Sequence, residues 1–233
     1  MKDKFFIAIL SHKGSKHREE QKKHLLETSN ENIIFYYFIG DLNLDSEYKV
    51  DEENKIVYLK VPDNYESLPL KTQAAVSFVN ENYSDVIKGM IKTDDDIDLD
   101  LEKIYSCLSD NWDKNYFGIV TQITDPENLS TWHMGKCESE TMNRTPVRVP
   151  LCTYCGGGGY YLNKESISKL SQSKEKYSTM VFEDAATGYV LNSFGIYPTF
   201  IHMGENGFSW PNMVPVTVTT QASKSQINPT TIK

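Results

Sequence analysis

The chain has 233 residues, of which 24% are charged and 39% hydrophobic, an ordinary balance for a globular protein long enough to bury a core. Lys and Arg total 24 against 32 Asp and Glu, a net charge of −8, which argues against a nucleic-acid binder held by phosphate contacts, short of a local basic patch. Four cysteines are too few for a disulfide scaffold, and the opening apolar run over residues 5–10 is too short for a signal peptide or a membrane span.

That run is continuous rather than alternating, so it reads as a strand buried on both faces. Residues 17–28 are polar and helix-prone, with Leu25 and Leu26 as the expected buried edge. Residues 33–39 form a second strand closed by Gly40-Asp41, residues 41–54 read as an acidic loop, and residues 56–61 form a third strand stopped by Pro62. A helix is expected over 70–82 and a strand over 86–92, running straight into Thr93-Asp94-Asp95-Asp96. A helix over 99–108 and a strand over 116–123 follow. Strands alternating with helices predict an α/β domain with a mixed, mainly parallel central sheet and flanking helices. Residues 124–150 show no period and carry Trp132, His133, Arg144 and Arg148. Regular structure resumes at 156–162, with helices expected over 164–173 and 184–194. From Pro211 the chain is rich in Thr, Ser, Gln and Pro, so residues 1–210 read as one domain and 211–233 as a polar tail or linker.

Three segments carry candidate chemistry. Asp94-Asp95-Asp96 follows an apolar strand, and Asp98 and Asp100 continue the acidic pattern. Adjacent carboxylates repel unless a cation or solvent screens them. At the carboxyl end of a parallel strand they would lie where open α/β sheets bind ligands, and Mg²⁺ or Mn²⁺ with substrate phosphates would suit them. The alternative is a solvated acidic turn. The run Gly156-Gly157-Gly158-Gly159 is either a phosphate-cradling loop or a flexible turn before a strand; it lacks the Lys and Ser/Thr of a Walker motif. Glu183-Asp184 opens a helical pattern, so Asp184 is either an N-cap or a catalytic base. The Cys152-x-x-Cys155 pair has no second pair at ligand spacing and reads as small buried thiols. Trp132 and Trp210 have the chemistry to stack on sugars, but core packing is the expected role of each.

In order along the chain, these segments resemble the β-1,3-galactosyltransferase-like glycosyltransferases, which include the Fringe proteins. Asp63-x-Tyr65-x-x-Leu68-x-Leu70-Lys71-Thr72, Lys92-Thr93-Asp94-Asp95-Asp96, Tyr154 through Leu162 with its glycine run, and Glu183-Asp184 with Gly188 each match a family segment. After the first strand Ser11 and Arg18 match, but the family's Trp does not follow, and Ala185-Ala186-Thr187 replace its usual valine and aromatic residue.

The resemblance implies a GT-A fold, with a donor-nucleotide half over about 1–123 and an acceptor half over about 124–210. It implies a UDP-sugar donor, a glycan or glycoconjugate acceptor, and Mn²⁺ or Mg²⁺. Asp96 and His202 would hold the metal, and Asp184 would be the general base of an inverting transfer of galactose, N-acetylglucosamine or glucose. Ser11, Arg18, Lys71, Asp94, Asp95, Gly158 and Glu183 would face the donor. The expected setting is cytoplasmic, viral or bacterial, or else a soluble fragment of a lumenal or multidomain enzyme. Two other readings stay open: a sugar-nucleotide- or carbohydrate-binding protein without catalysis, and a metal-dependent phosphohydrolase.

Overall fold

A computed structural model describes residues 3–210; the expected polar tail lies outside them. The first half runs β1 (Phe5–Leu10), α1 (Arg18–Glu27), β2 (Ile33–Gly40), β3 (Tyr48–Asp51), β4 (Ile56–Leu59), α2 (Leu68–Tyr83), β5 (Gly89–Asp94), β6 (Asp98–Leu99), α3 (Leu101–Asn111) and β7 (Tyr116–Ile123). The second half adds β8 (Leu129–Ser130), β9 (Val147–Arg148), β10 (Cys152–Asn163), α4 (Lys164–Ser171), α5 (Lys174–Tyr177), α6 (Glu183–Asn192), β11 (Thr199–Phe200) and β12 (Phe208–Ser209).

The central sheet has the order β11-β7-β10-β5-β1-β2-β4-β3. It is mixed and mainly parallel, as expected: β5, β1, β2 and β4 run together, while β10 lies antiparallel between β5 and β7. The second half of the sequence thus supplies a strand to the middle of the sheet. All six residues of β1 are buried, and they alternate between two cores. Phe6, Ala8 and Leu10 pack under α2, α4 and α6 with Val76, Leu170 and Val190. Phe5, Ile7 and Ile9 pack on the other face against Leu25 of α1 and Ile104 and Leu108 of α3.

Several local expectations are corrected. The acidic loop contains β3, because Tyr48 and Val50 pair with β4 across a turn whose Asp51 carboxylate accepts from the Asn54 backbone and side chain. The strand expected over 86–92 is shifted to Gly89–Asp94, since Val86 is exposed beyond the end of α2. Leu25 is buried, but Leu26 faces solvent. The helix expected over 164–173 is α4, which ends at Ser171, and a separate short helix, α5, follows from Lys174. The four cysteines are free and buried, as read from their spacing. Among the described residues no helix is long and apolar enough to cross a membrane.

The topology fixes where a ligand can enter. The chain leaves β1 toward β2 on one side and returns to β5 on the other, so the carboxyl ends of β1 and β5 flank a switch point. Leu10 pairs with Asp94 at this edge, and the Asp95 amide bonds the Leu10 carbonyl at 3.1 Å. The acidic triplet is therefore anchored at the crevice.

Candidate active site

Two clefts meet over this edge. One, of about 560 Å³, includes Ser11, Asp63, Lys71 and Asp95 in its lining. The other, of about 580 Å³, runs past Trp132, Tyr154, Gly158, Phe182, Asp184 and Trp210. Tyr65, Leu68, Asp94, Asp96 and Lys136 line both, so they form one bent crevice with two carboxylates at the bend.

Beneath the bend lies a buried ionic knot. Lys92 is 1% exposed, and its Nζ donates to Asp94 Oδ1 at 2.8 Å, to the Gly157 carbonyl at 2.8 Å and to Glu183 Oε1 at 2.5 Å. Glu183 Oε2 accepts from the Tyr160 hydroxyl at 3.0 Å, and Thr187 Oγ1 links Tyr160 to Tyr177 at 3.1 and 2.8 Å. Burial pushes the Glu183 carboxyl up, and the Lys92 ammonium is the chief opposing influence. Burial alone would lower Lys92, but the Asp94 and Glu183 carboxylates outweigh it, so the ammonium holds its proton above the ordinary range. A cation with three acceptors is the arrangement that keeps a buried charge tolerable. Glu183 lines the aromatic arm and braces its floor through this network.

Asp184 points the other way. The helix N-cap is Phe182, so Asp184 lies inside the first turn and the N-cap reading does not hold. Its Oδ2 accepts from the Gly157 amide at 3.2 Å and its Oδ1 from the Ala185 amide at 2.7 Å. Burial raises its pKa, opposed by the Ala185 amide, the Lys92 charge and the Gly157 amide. The result is a carboxylate held by backbone, with a raised proton affinity, in the wall of the aromatic-rich arm.

The acidic triplet divides its work. Asp94 is tied to Lys92, and Asp95 Oδ2 accepts from the Ser11 hydroxyl at 2.5 Å. Asp96 has no Lys or Arg within ion-pair distance among the described residues; burial, then the Asp94 and Asp95 charges, raises its pKa. Its own backbone amide and His17 oppose this only in part, and a carboxylate beside two others is the electrostatic setting that a cation relieves.

The remaining expected residues sort plainly. Arg18 does not line the crevice; its Nη1 bonds Ser11 Oγ at 3.2 Å and the His12 carbonyl at 2.7 Å, steadying the turn after β1. Lys71 is buried, with Nζ on Asp63 Oδ1 at 2.6 Å and on the Ser11 carbonyl at 2.9 Å. Asp63 also accepts from the Gly40 and Lys13 amides, so this pair ties together the ends of β1 and β2 and the start of α2. His202 lines neither cleft. It caps the turn Met203–Asn206, its Nδ1 accepting from the Glu205 amide at 3.3 Å.

The glycine run is neither a phosphate loop nor a turn. It lies within β10, where the strand advances from Cys155 to Tyr160 while its partner β7 advances only from Val120 to Gly118. This bulge turns the Gly157 and Gly158 carbonyls onto Lys92 and the Thr93 hydroxyl. A Cβ on Gly157 would sit 2.6 Å from Glu183 Oε1, and one on Gly158 would sit 2.5 Å from Trp210 Nε1. Glycine is needed here because the neighbours come so close.

Residues 124–150 show no period, yet they form a wall tied by side-chain bonds to backbone. His133 Nε2 sits between the Met142 and Thr145 carbonyls at 2.9 and 3.1 Å. Asn143 Oδ1 accepts from the Gly135 and Cys137 amides, and its Nδ2 donates to the Cys137 carbonyl. Glu66, before α2, accepts from the Glu138 and Ser139 amides at 3.1 and 3.2 Å, and the His133 ring meets Phe182 edge-on at 5.6 Å. Trp132, expected in the core, is 71% exposed and faces the crevice. Tyr65, Lys136 and Tyr154 are crevice residues that patterning did not single out for a role. Tyr65 and Tyr154 lay inside recognised segments, whereas Lys136 had no local signal.

A family model described as Galactosyltransferase matches residues 16–202. No curated protein matches. Among solved structures, the chain is similar to the catalytic domain of Drosophila β1,4-galactosyltransferase 7 in complex with xylobiose, at 13% identity and a TM-score of 0.46, covering 91% of this chain and 72% of that one. It is also similar to 4-diphosphocytidyl-2C-methyl-D-erythritol synthase from Anaerococcus prevotii, at 11% identity and a TM-score of 0.44, covering 85% and 87%. With the family match spanning most of its length, the chain belongs to the galactosyltransferase family, and its role is glycosyl transfer.

Proposed function

We propose that the protein is an inverting, metal-assisted glycosyltransferase that moves a hexose from a UDP-sugar to a hydroxyl of a glycan or glycoconjugate, in the manner of the β-1,3-galactosyltransferases. The observation that carries this reading is the bent crevice: Asp94 and Asp96 at the bend, an aromatic arm beyond it, and Asp184 in the wall of that arm. The arm ending in Ser11 and Lys71 takes the nucleotide, and the arm of Trp132, Tyr154 and Trp210 takes the acceptor sugar. Aromatic faces suit pyranose rings, which are apolar on their C–H faces.

Asp184 takes the proton from the acceptor hydroxyl as that oxygen attacks the anomeric carbon. Its raised proton affinity favours this, and the Gly157 and Ala185 amides fix its orientation. The leaving group is a nucleoside diphosphate, so no second carboxylic acid is needed to protonate it, unlike in glycosidases. Attack from the Asp184 side with departure toward the bend inverts the anomeric centre, so an α-linked donor gives a β-linked product.

The donor set at the bend fits a divalent ion. Its oxygens are hard ligands, and the Asp94 and Asp95 charges raise the proton affinity of Asp96. Among the described residues no three His, Cys, Asp or Glu side chains converge to hold an ion unaided. Mg²⁺ and Mn²⁺ sites of this kind use one or two carboxylates and complete the shell with substrate phosphates and water. Asp94 and Asp96 would hold the ion, and when bound it would neutralise charge on the departing diphosphate.

The deciding experiment is a panel of UDP-sugars with Mn²⁺, reading UDP release with and without acceptor sugars, with NMR of the product's anomeric coupling. A β product from an α-linked donor is expected. An α product, or phosphate release from simple esters without sugar transfer, would sink the reading.

A further inference from the structure

We infer that Lys136 is the residue of this chain that grips the donor's diphosphate and receives its charge as the sugar departs. This rests on the reading of the crevice as a sugar-nucleotide site and names a contact that the matched motifs do not include. Lys136 lines both arms and so stands at the bend, where the bond between the anomeric carbon and the phosphate oxygen must lie.

The charges around the crevice leave few alternatives. The aromatic arm presents Asp94, Asp96, Glu183 and Asp184, and Lys136 is the one Lys or Arg among the described residues that line it. In the nucleotide arm the other lysine, Lys71, is already paired with Asp63 at 2.6 Å. Lys92 lies below the floor, committed to Asp94 and Glu183. Arg18 is turned onto Ser11 and His12. Lys136 has no carboxylate within 4 Å among the described residues. It lies against π-faces instead, with its Nζ 3.7 Å from the Trp132 ring centre and 5.5 Å from that of Tyr65. Burial lowers its pKa, with no neighbouring anion to oppose the effect.

Its position is built. The turn from Thr131 to Lys136 is closed by backbone bonds from Met134 to Thr131 and from Lys136 to His133. The Asn143 side chain fixes the residues on either side of it, and Glu66 ties the next two amides to the start of α2. An ammonium presented by a braced turn costs little reorganisation when an anion arrives. In the transfer step the bond from the anomeric carbon to the β-phosphate oxygen breaks and its electron pair stays on that oxygen, facing Lys136. The acceptor oxygen bonds the carbon, and its proton passes to Asp184. Lys136 keeps its own proton throughout.

The test compares UDP with uridine, binding to the full chain by calorimetry in Mn²⁺, for the wild type and for Lys136→Met and Lys136→Arg. Methionine keeps the apolar packing between Trp132 and Tyr65 without the charge. Expected is a loss of about tenfold or more in UDP affinity for Lys136→Met, with uridine affinity unchanged and Lys136→Arg restoring most of the loss. Sugar transfer should fall in kcat as well. Unchanged UDP affinity in Lys136→Met would overturn the inference while leaving the crevice assignment standing. An equal loss for UDP and uridine would also overturn it, since only the wall would have been disturbed. A wild-type chain that binds no UDP would remove the sugar-nucleotide reading itself, and the inference with it.

Discussion

The two walls of the crevice are built on opposite plans. The wall made by β5, β10 and α6 is held from within by charge: Lys92 and Glu183 are buried and share a network with Tyr160, Thr187 and Tyr177. The wall made by residues 124–150 is held by side-chain bonds to backbone, from Glu66, His133 and Asn143, while its Trp132 and Lys136 face water. A buried ionic knot is intolerant of losing one member, because the partner charge is then stranded. A backbone-tied loop loses one bond at a time. The first plan should therefore fail as a unit and the second by degrees.

The largest effect should come from Glu183→Ala. It leaves Lys92 with Asp94 as its one carboxylate partner, beside the Gly157 carbonyl, and removes the carboxylate acceptor of the Tyr160 hydroxyl, so a stability loss of about 3–5 kcal/mol is expected by denaturant unfolding. A loss below about 1 kcal/mol would mean that the knot is not the brace described here. The neighbouring residue separates chemistry from stability on the same wall. Asp184→Asn should cut transfer by about 10²- to 10⁴-fold, while Mn²⁺-dependent UDP binding and the unfolding midpoint stay near wild type. Loss of UDP binding in that variant would move Asp184 to the donor side.

The pH dependence follows from the same residue. Asp184 must be ionised to accept a proton, and burial raises its pKa. Activity is therefore lost as pH falls through a value above that of an ordinary aspartate, about 3.9. The kcat/KM profile should show this raised acid limb. An acid limb at or below the ordinary value would count against Asp184 as the base.

The smallest effect belongs to the other wall. Glu66→Ala removes the acceptor for two loop amides near the surface, so a global loss of only about 1 kcal/mol is expected. Hydrogen exchange at Glu138 and Ser139 should nevertheless accelerate clearly, because local opening becomes easier. If global stability fell as far as in Glu183→Ala, the contrast between the walls would be lost.

The same contrast explains what could be read from the letters. β1 and β2 are apolar runs whose burial is written in their composition, and the crevice edge followed from an acidic triplet at the end of a buried strand. β3 was hidden because its pairing with β4 depends on a turn rather than on its own apolar content. The loop wall was hidden for a stronger reason. Its order comes from Glu66 and from histidine and asparagine contacts with backbone, which leave no period. Trp132 was misjudged as core because a tryptophan carries no local mark of facing outward. Asp184 was recognisable as important, but whether it capped the helix or stood inside it turned on the placement of the cap at Phe182, two residues earlier. His202 stood close to the end of the matched region, yet its side chain serves a turn.

The glycine run bears on how this protein tolerates change. Four identical letters stand in a row, but their surroundings differ. A methyl group on Gly157, Gly158 or Gly159 would meet Glu183, Trp210 or Phe208 at 2.5 to 2.8 Å, whereas one on Gly156 meets nothing nearer than the Ile119 carbonyl at 4.0 Å. A library randomised over these four codons and selected for folded, active protein should recover glycine at the last three and a mixture of small residues at the first. The apparent low complexity of the run thus conceals three separate spacers, each setting the distance to a different neighbour.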